Sequence, residues 1–227
     1  MGQFHDMLEQ IGLSITPHQY DQFERYYQEL IAWNKKLNLT SITDRDEVFL
    51  KHFYDSLSLV RAIPLVDQSL LDVGSGAGFP SIPLKILFPH LKVTILDAMQ
   101  KRIAFLERLT EALQIDVTLI HGRAEEFDQR EVYDIVTARA VANLTMLSEL
   151  CIPFVRPKGY FLAMKGPGCQ DELDRSKRAI ATLSGHIEDV VQYRIDHLDR
   201  CIVKVRKDGV TPSQYPRRYK KIKSKPL

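Results

Sequence analysis

The chain has 227 residues, 31 Lys/Arg against 29 Asp/Glu, and is 44% hydrophobic, enough for a real core in one α/β domain with an extension or in two small domains. No run approaches the roughly 18–20 apolar residues of a membrane helix, so no membrane span is expected. Met1-Gly2-Gln3-Phe4-His5-Asp6 lacks the basic and apolar regions of a signal peptide, so a cytoplasmic protein is expected.

Residues 4 to about 62 carry no strand pattern. Thr16-Pro17 reads as an N-cap and first helical position, followed by an apolar helical face of Tyr20, Phe23, Tyr26, Tyr27, Leu30, Ile31 and Trp33. Thr43-Asp44-Arg45-Asp46-Glu47 opens a second helix with an acidic first turn. A third holds Tyr54, Leu57, Ser58 and Val60 and stops near Pro64. From Ser69 the pattern changes. Leu70–Val73, Val93–Asp97, Val117–Ile120, Tyr133–Thr137 and Gly159–Met164 read as strands, separated by helices at Ser81–Leu87, Lys101–Leu113, Leu144–Leu150 and about Asp171–Leu183. This alternation predicts βαβ units and a parallel sheet covered on both faces. Ile187–Ile195 and Cys201–Arg206, with a short polar break between them, predict a closing antiparallel pair. The predicted organisation is a helical extension over 1–64, a Rossmann-like domain over 65–207 and a basic tail over 208–227. Cys151, Cys169 and Cys201 are few and far apart. They form no metal spacing and no disulfide framework, and are expected as reduced thiols with no bound metal.

The most informative stretch is Leu70-Leu71-Asp72-Val73-Gly74-Ser75-Gly76-Ala77-Gly78-Phe79-Pro80. A buried strand ends in an acid, three glycines at alternate positions and a proline suited to a helix start. Such a unit cradles nucleotide-like cofactors, although an ordinary tight β–α turn would read similarly. The dinucleotide pattern G-x-G-x-x-G/A fails at Phe79, and no P-loop occurs. Acid-x-Gly-x-Gly-x-Gly resembles motif I of the class I methyltransferases, which bind S-adenosylmethionine. Asp97, 25 positions after Asp72, ends the second strand; it could accept ribose hydroxyls or cap the next helix. After the third strand, His121-Gly122-Arg123-Ala124-Glu125-Glu126 is the loop that reads adenine in such enzymes. The fourth strand leads into Thr137-Ala138-Arg139-Ala140-Val141-Ala142-Asn143, where methyl donor and target meet. Arg139 there could hold a carboxylate, phosphate or base edge, or pair with Glu125 or Glu126. Lys165, after the fifth strand, could hold a phosphate or stay solvated. No [N/D]-P-P-[Y/F] run and no Pro-Cys nucleophile is present, which removes support for amine and cytosine-C5 methylation. Attack by an atom with a free lone pair, such as guanine N7, needs only alignment and exclusion of water.

The charge is uneven. Lys204 to Leu227 holds nine Lys/Arg and one acid, whereas the rest holds 22 basic and 28 acidic residues. Six cations, Arg217, Arg218, Lys220, Lys221, Lys223 and Lys225, follow or flank Tyr215 and Tyr219. That mixture suits phosphates and unpaired bases of RNA, or else a solvated, frayed terminus.

Trp33-Asn34-Lys35-Lys36-Leu37-Asn38-Leu39-Thr40, His52 with Asp55-Ser56-Leu57, Asp72 to Pro83, Asp97 with Lys101-Arg102, Gly122 to Glu125, Ala138-Arg139-Ala140, Lys165-Gly166 and Tyr215 to Arg218 follow in order along almost the whole chain. Together they resemble the bacterial 16S rRNA guanine-N7 methyltransferases, the family also called glucose-inhibited division protein B. The resemblance implies a class I methyltransferase fold. It also implies S-adenosylmethionine as cofactor, held by Gly74, Phe79, Ala124, Glu125 and Arg139, and a target guanine in the decoding-region loop of 16S rRNA in the small ribosomal subunit; the loop reading adds Gly76, Gly78 and Asp97 to the cofactor candidates. Lys165, Arg217, Arg218, Lys220 and Lys221 are the RNA-binding candidates. No catalytic residue is implied beyond Arg139 as a positioning candidate, and a monomer is expected. One departure is Ser81 at a family glycine, for which a weak effect on cofactor binding is expected. Asn34, Lys35, Lys36 and Asn38 face RNA or solvate a helix; Trp33, Leu37 and Leu39 suit a core; His52 suits a structural hydrogen bond. A small-molecule methyltransferase and a non-catalytic rRNA-binding assembly factor are the rival readings.

Overall fold

The structure, a computed structural model, describes residues 2–139 and 142–227. Helix α1 (Gly2–Glu9) precedes α2 (Pro17–Leu37). Thr16 caps α2 through a reciprocal capping box with Gln19, an arrangement worth about 1 kcal/mol. The second and third helices expected from the sequence form one continuous run: α3 (Arg45–Val48), a π-helical stretch (Phe49–Tyr54), α4 (Asp55–Leu57) and a 3₁₀ turn (Ser58–Arg61). Asp44 caps its start by accepting from the Glu47 N–H.

Seven strands follow: β1 (Ser69–Val73), β2 (Lys92–Asp97), β3 (Thr118–His121), β4 (Tyr133–Arg139), β5 (Val155–Lys165), β6 (Gly185–Ile195) and β7 (Leu198–Lys207). Between and after them lie α5 (Ser81–Leu87), α6 (Gln100–Leu113), α7 (Leu144–Cys151), α8 (Cys169–Thr182) and α9 (Tyr219–Ser224). The sheet order is β3-β2-β1-β4-β5-β7-β6. The first five strands are mutually parallel, and the β6–β7 hairpin is antiparallel, as the sequence pattern requires. Strand β5 begins earlier than expected because Val155 pairs with Tyr133 ahead of an irregularity in the β4–β5 register.

Alternate strand residues feed two cores. Leu70, Ile95, Ile135 and Leu162 pack with Phe23, Tyr26, Leu30 and Phe53 of the N-terminal helices and with Phe105 and Leu106 of α6. Leu71, Leu96, Val136 and Phe161 pack with Leu147, Leu173 and, from the tail, Tyr215 and Ile222. The helical extension therefore shares a core with one sheet face, and the basic tail is docked on the other. The tail is held by Arg217, whose guanidinium and backbone N–H bond the buried Glu149 at 2.6–2.9 Å. Lys207, 1% exposed, bonds Glu131, Thr211 and two backbone carbonyls where the tail leaves β7.

The expectation of three reduced thiols is corrected: Cys169 and Cys201 form a disulfide, and Cys151 is free and buried. Thirty-two residues separate the pair, but β7 lies beside β5 with Cys201 opposite Lys165. The turn after Lys165 then returns Cys169 to the same place.

Candidate active site

The carboxyl ends of β1 to β5 converge on one side of the sheet, where ligands of such folds bind. Beyond Val73 the chain enters the glycine loop. Gly74, Gly76 and Gly78 all have positive φ, at 75°, 63° and 99°. A Cβ on Gly78 would lie 2.7 Å from Ile82 and 2.8 Å from the Tyr26 hydroxyl, whereas one on Gly76 would meet open space. Gly78 thus serves packing and Gly76 leaves room for a ligand. The N-terminal helices hold the loop directly: the Tyr26 hydroxyl donates to the Ala77 carbonyl at 2.5 Å.

Asp72 lies fully buried under this loop. Its Oδ2 accepts from the Ser81 hydroxyl at 2.6 Å and from the Ser81 N–H at 3.2 Å. The serine at the family glycine therefore bonds the motif's acid and takes no place on the cofactor side of the loop in this structure. Among the described residues, Asp72 Oδ1 and Ser75 Oγ are buried without a partner. Burial, opposed by the Ser81 bonds, raises the Asp72 carboxyl to about 7.

Asp97 is buried, and its Oδ1 accepts from the Met99 N–H at 2.9 Å in the turn before α6; the helix cap position itself is Met99, so Asp97 does not cap the helix. Its Oδ2 takes the Gly76 N–H at 3.2 Å and faces Arg102 at 3.4 Å, which ties the second strand end to the glycine loop. Beside it, Val73, Gly74, Leu96, Ala98, Gly122, Arg123, Ala124, Glu125, Leu150 and Tyr219 line a cavity of about 190 Å³. Glu125 is clamped to Arg123 at 2.6 Å.

On the other side of the loop, Phe79 is the centre of a stack. The His52 ring lies over it at 4.6 Å, Tyr26 at 5.4 Å and the Arg139 guanidinium at 4.7 Å. The alternative pairing of Arg139 with Glu125 or Glu126 is corrected. Its partner is the buried Asp55, at 2.9 Å, because the N-terminal helical run and the end of β4 face each other across the cleft. The Tyr193 hydroxyl donates to the other Asp55 oxygen at 2.9 Å, and Arg200 stands 3.7 Å from it. Arginine can only donate, so His52 accepts from Arg139 at Nδ1 (3.3 Å) and its Nε2–H faces Thr40 Oγ1 at 2.8 Å. Burial and the Arg139 charge lower His52 to about 3, so it stays neutral near pH 7. A π-helical stretch, a feature frequent at functional sites, carries His52 here. A second cavity, of about 300 Å³, opens on Ile42, Lys51, His52, Asp55, Arg139, Met164, Lys165, Gly166, Tyr193 and Arg200.

The candidate RNA-binding residues separate into two places. Lys165 lies in the second cavity, where it bonds Glu172 at 2.8 Å and the Ala142 carbonyl at 2.9 Å. Arg218, Lys220 and Lys221 line a groove on the tail with Gln214, Tyr215 and Ser224. Arg217 lines the same groove, but its charge is spent on Glu149. Ala140 and Val141, part of the run expected to face the methyl donor, lie outside the described residues. Sequence reasoning missed Tyr193 and Arg200 because neither sits in a motif. Asp55 does carry a sequence signal, since a carboxylate in an apolar helical run needs a buried partner.

Solved structures share this architecture. A putative methyltransferase from Bacillus halodurans aligns at TM-score 0.55 and 14% identity over 68% of this chain and 99% of its own. M. jannaschii TYW2, crystallised with AdoMet, aligns at TM-score 0.55 and 15% identity over 67% of this chain and 74% of its own. The fold and the loop chemistry define a class I, S-adenosylmethionine-dependent methyltransferase. Within that class the family model described as rRNA small subunit methyltransferase G (GidB) matches residues 19–200. Relatives named ribosomal RNA small subunit methyltransferase G from Bacillus subtilis and a Geobacillus strain are each 50% identical over 95% of this chain and 94% of theirs. The chain belongs to the rRNA small subunit methyltransferase G family.

The residues present fit S-adenosylmethionine. The unpartnered Asp72 Oδ1 and Ser75 Oγ suit its ammonium, Gly76 leaves space for its backbone, and the cavity beside Ala124 suits an adenine ring. Asp72 makes the fit measurable. Its folded value, about 7, lies above the ordinary carboxylate 3.8, so the native state holds an extra proton between those pH values. The Asp72 contribution to stability is therefore complete below pH 4 and falls as pH rises to 7. A cation beside Oδ1 favours the carboxylate, so cofactor binding near pH 7 is expected to release a proton. Calorimetry in buffers of different ionisation enthalpy checks this, and Asp72→Asn should abolish the buffer dependence.

Proposed function

We propose that this chain transfers the methyl group of S-adenosylmethionine to N7 of a guanine in small-subunit 16S rRNA. The observation that carries the reading is the second cavity, which holds four cationic residues yet presents no poised base. His52 is neutral but a very weak base, and Asp55 is fixed by Arg139 and Tyr193. Cys151 is buried with its thiol pushed well above its ordinary value, and the other two cysteines are paired. A nucleophile that needs neither deprotonation nor covalent activation suits this pocket, and guanine N7 carries its lone pair at neutral pH. Bound S-adenosylmethionine supplies the electrophilic methyl carbon. Arg139 and His52 line the second cavity and lie over the Phe79 ring at 4.7 and 4.6 Å; in this reading they fix the approach of the base, so alignment is the main catalytic contribution. Lys51 and Lys165 are paired with Glu47 at 2.6 Å and Glu172 at 2.8 Å, so Arg218, Lys220 and Lys221 are the cations offered to flanking phosphates.

Labelled methyl transfer to small ribosomal subunits lacking the modification tests the reading; N7-methylguanosine at one position is the expected product. Methylation at another base atom would overturn it. Replacing Arg218, Lys220 and Lys221 by alanine should lower RNA affinity and flatten its dependence on salt, with a slope change of about 2–3. An unchanged slope would remove the tail from the RNA surface.

A further inference from the structure

The tail does more than display cations. We infer that Tyr219 is the outer wall of the adenosine pocket, so that the first turn of α9 acts as a lid over the cofactor's base. This inference rests on the cofactor reading above.

Three observations place the ring there. Tyr219 lines the same cavity as Gly74, Leu96, Gly122, Ala124 and Glu125, and is its only lining residue from the tail. Its ring receives the Arg123 guanidinium at 5.0 Å, and Arg123 is itself braced by Glu125. The ring's backbone is anchored on both sides. Two residues before it, Arg217 makes its bonds to the buried Glu149. Three residues after it, Ile222 is fully buried in the core beneath α7.

Further back, the Arg130 guanidinium donates to the carbonyls of Thr211 and Tyr215. The segment beyond the last strand is thus pinned at several points, and the residue left 37% exposed between the pins is an aromatic ring at the edge of the cavity of about 190 Å³. An aromatic face in that position stacks on a purine and excludes water from it. The same short helix carries Lys220 and Lys221, which line the separate basic groove.

The test is calorimetric binding of S-adenosylhomocysteine and of 5′-methylthioadenosine, which lacks the amino-acid part. Tyr219→Ala should weaken both ligands by a similar factor of about tenfold, as expected for one lost stacking contact. Tyr219→Phe and Tyr219→Trp, which keep a ring, should bind within about threefold of the wild type. Wild-type affinity in Tyr219→Ala overturns the inference. So does equal loss in the alanine and phenylalanine variants, or a loss confined to S-adenosylhomocysteine. A wild-type protein that binds neither ligand would overturn the cofactor reading itself, and the lid with it.

Discussion

Gly78→Ala should destabilise the whole protein, whereas Gly76→Ala, two residues away, should leave it folded and cost it its cofactor. At Gly78 the backbone has φ 99°, and a methyl group would stand 2.7 Å from Ile82, 2.8 Å from the Tyr26 hydroxyl and 3.1 Å from Leu106. Left-handed strain costs about 1–2 kcal/mol and overpacking a closed core another 1–3 kcal/mol. Together these lower the melting temperature by about 10 °C. Relief by movement of Tyr26 would break its bond to Ala77 and loosen the loop from α2. Gly76 shares the positive φ but faces open space, so its alanine variant carries only the strain of about 1–2 kcal/mol. Its methyl group occupies the room left for the ligand, and S-adenosylhomocysteine affinity should fall at least tenfold. Thermal unfolding and calorimetry on the two variants check the contrast; equal losses of stability would refute the division of roles.

Arg139→Ala is the second large effect. It removes the guanidinium from the Phe79 face, from Asp55 and from His52 Nδ1 together. Breaking one side of a buried ion pair costs about 3–5 kcal/mol. Asp55 keeps the Tyr193 hydroxyl and Arg200, so a loss of about 2 kcal/mol is expected. Methyl transfer should fall at least 100-fold, because the second cavity loses the lining group that holds His52 and stacks on Phe79. Arg139→Lys should not rescue it: a point charge on a flexible stem cannot lie flat on Phe79 while reaching both Asp55 and His52. With the charge gone, the His52 ring should titrate above its present value of about 3. An NMR titration of His52 separates that positioning role from simple unfolding. An unchanged His52 in a folded, inactive variant would refute the electrostatic link.

Much of this molecule was legible before the fold was known, and what was legible has one physical character. Strand and helix identity came from periodicity, helix starts from Thr16-Pro17 and the acidic run Thr43 to Glu47, and the cofactor loop from glycines whose positive φ is a local demand. All of these act over a few residues, so the sequence displays them directly. The rest depends on residues that are neighbours only in three dimensions. Asp55 and Arg139 are 84 residues apart, Glu149 and Arg217 are 68, and Cys169 and Cys201 are 32. Their pairing is decided by the β7 strand inserting beside β5 and by the N-terminal helices closing over the carboxyl ends of β1 and β4. The tail is the clearest case: its composition announced a polyanion-binding surface, but only docking on α7 turned Arg217 inward to a buried acid and set Tyr219 at the mouth of the adenosine pocket. Burial gives a charge a partner or an aromatic ring a cleft to cover, and burial is a property of the folded chain.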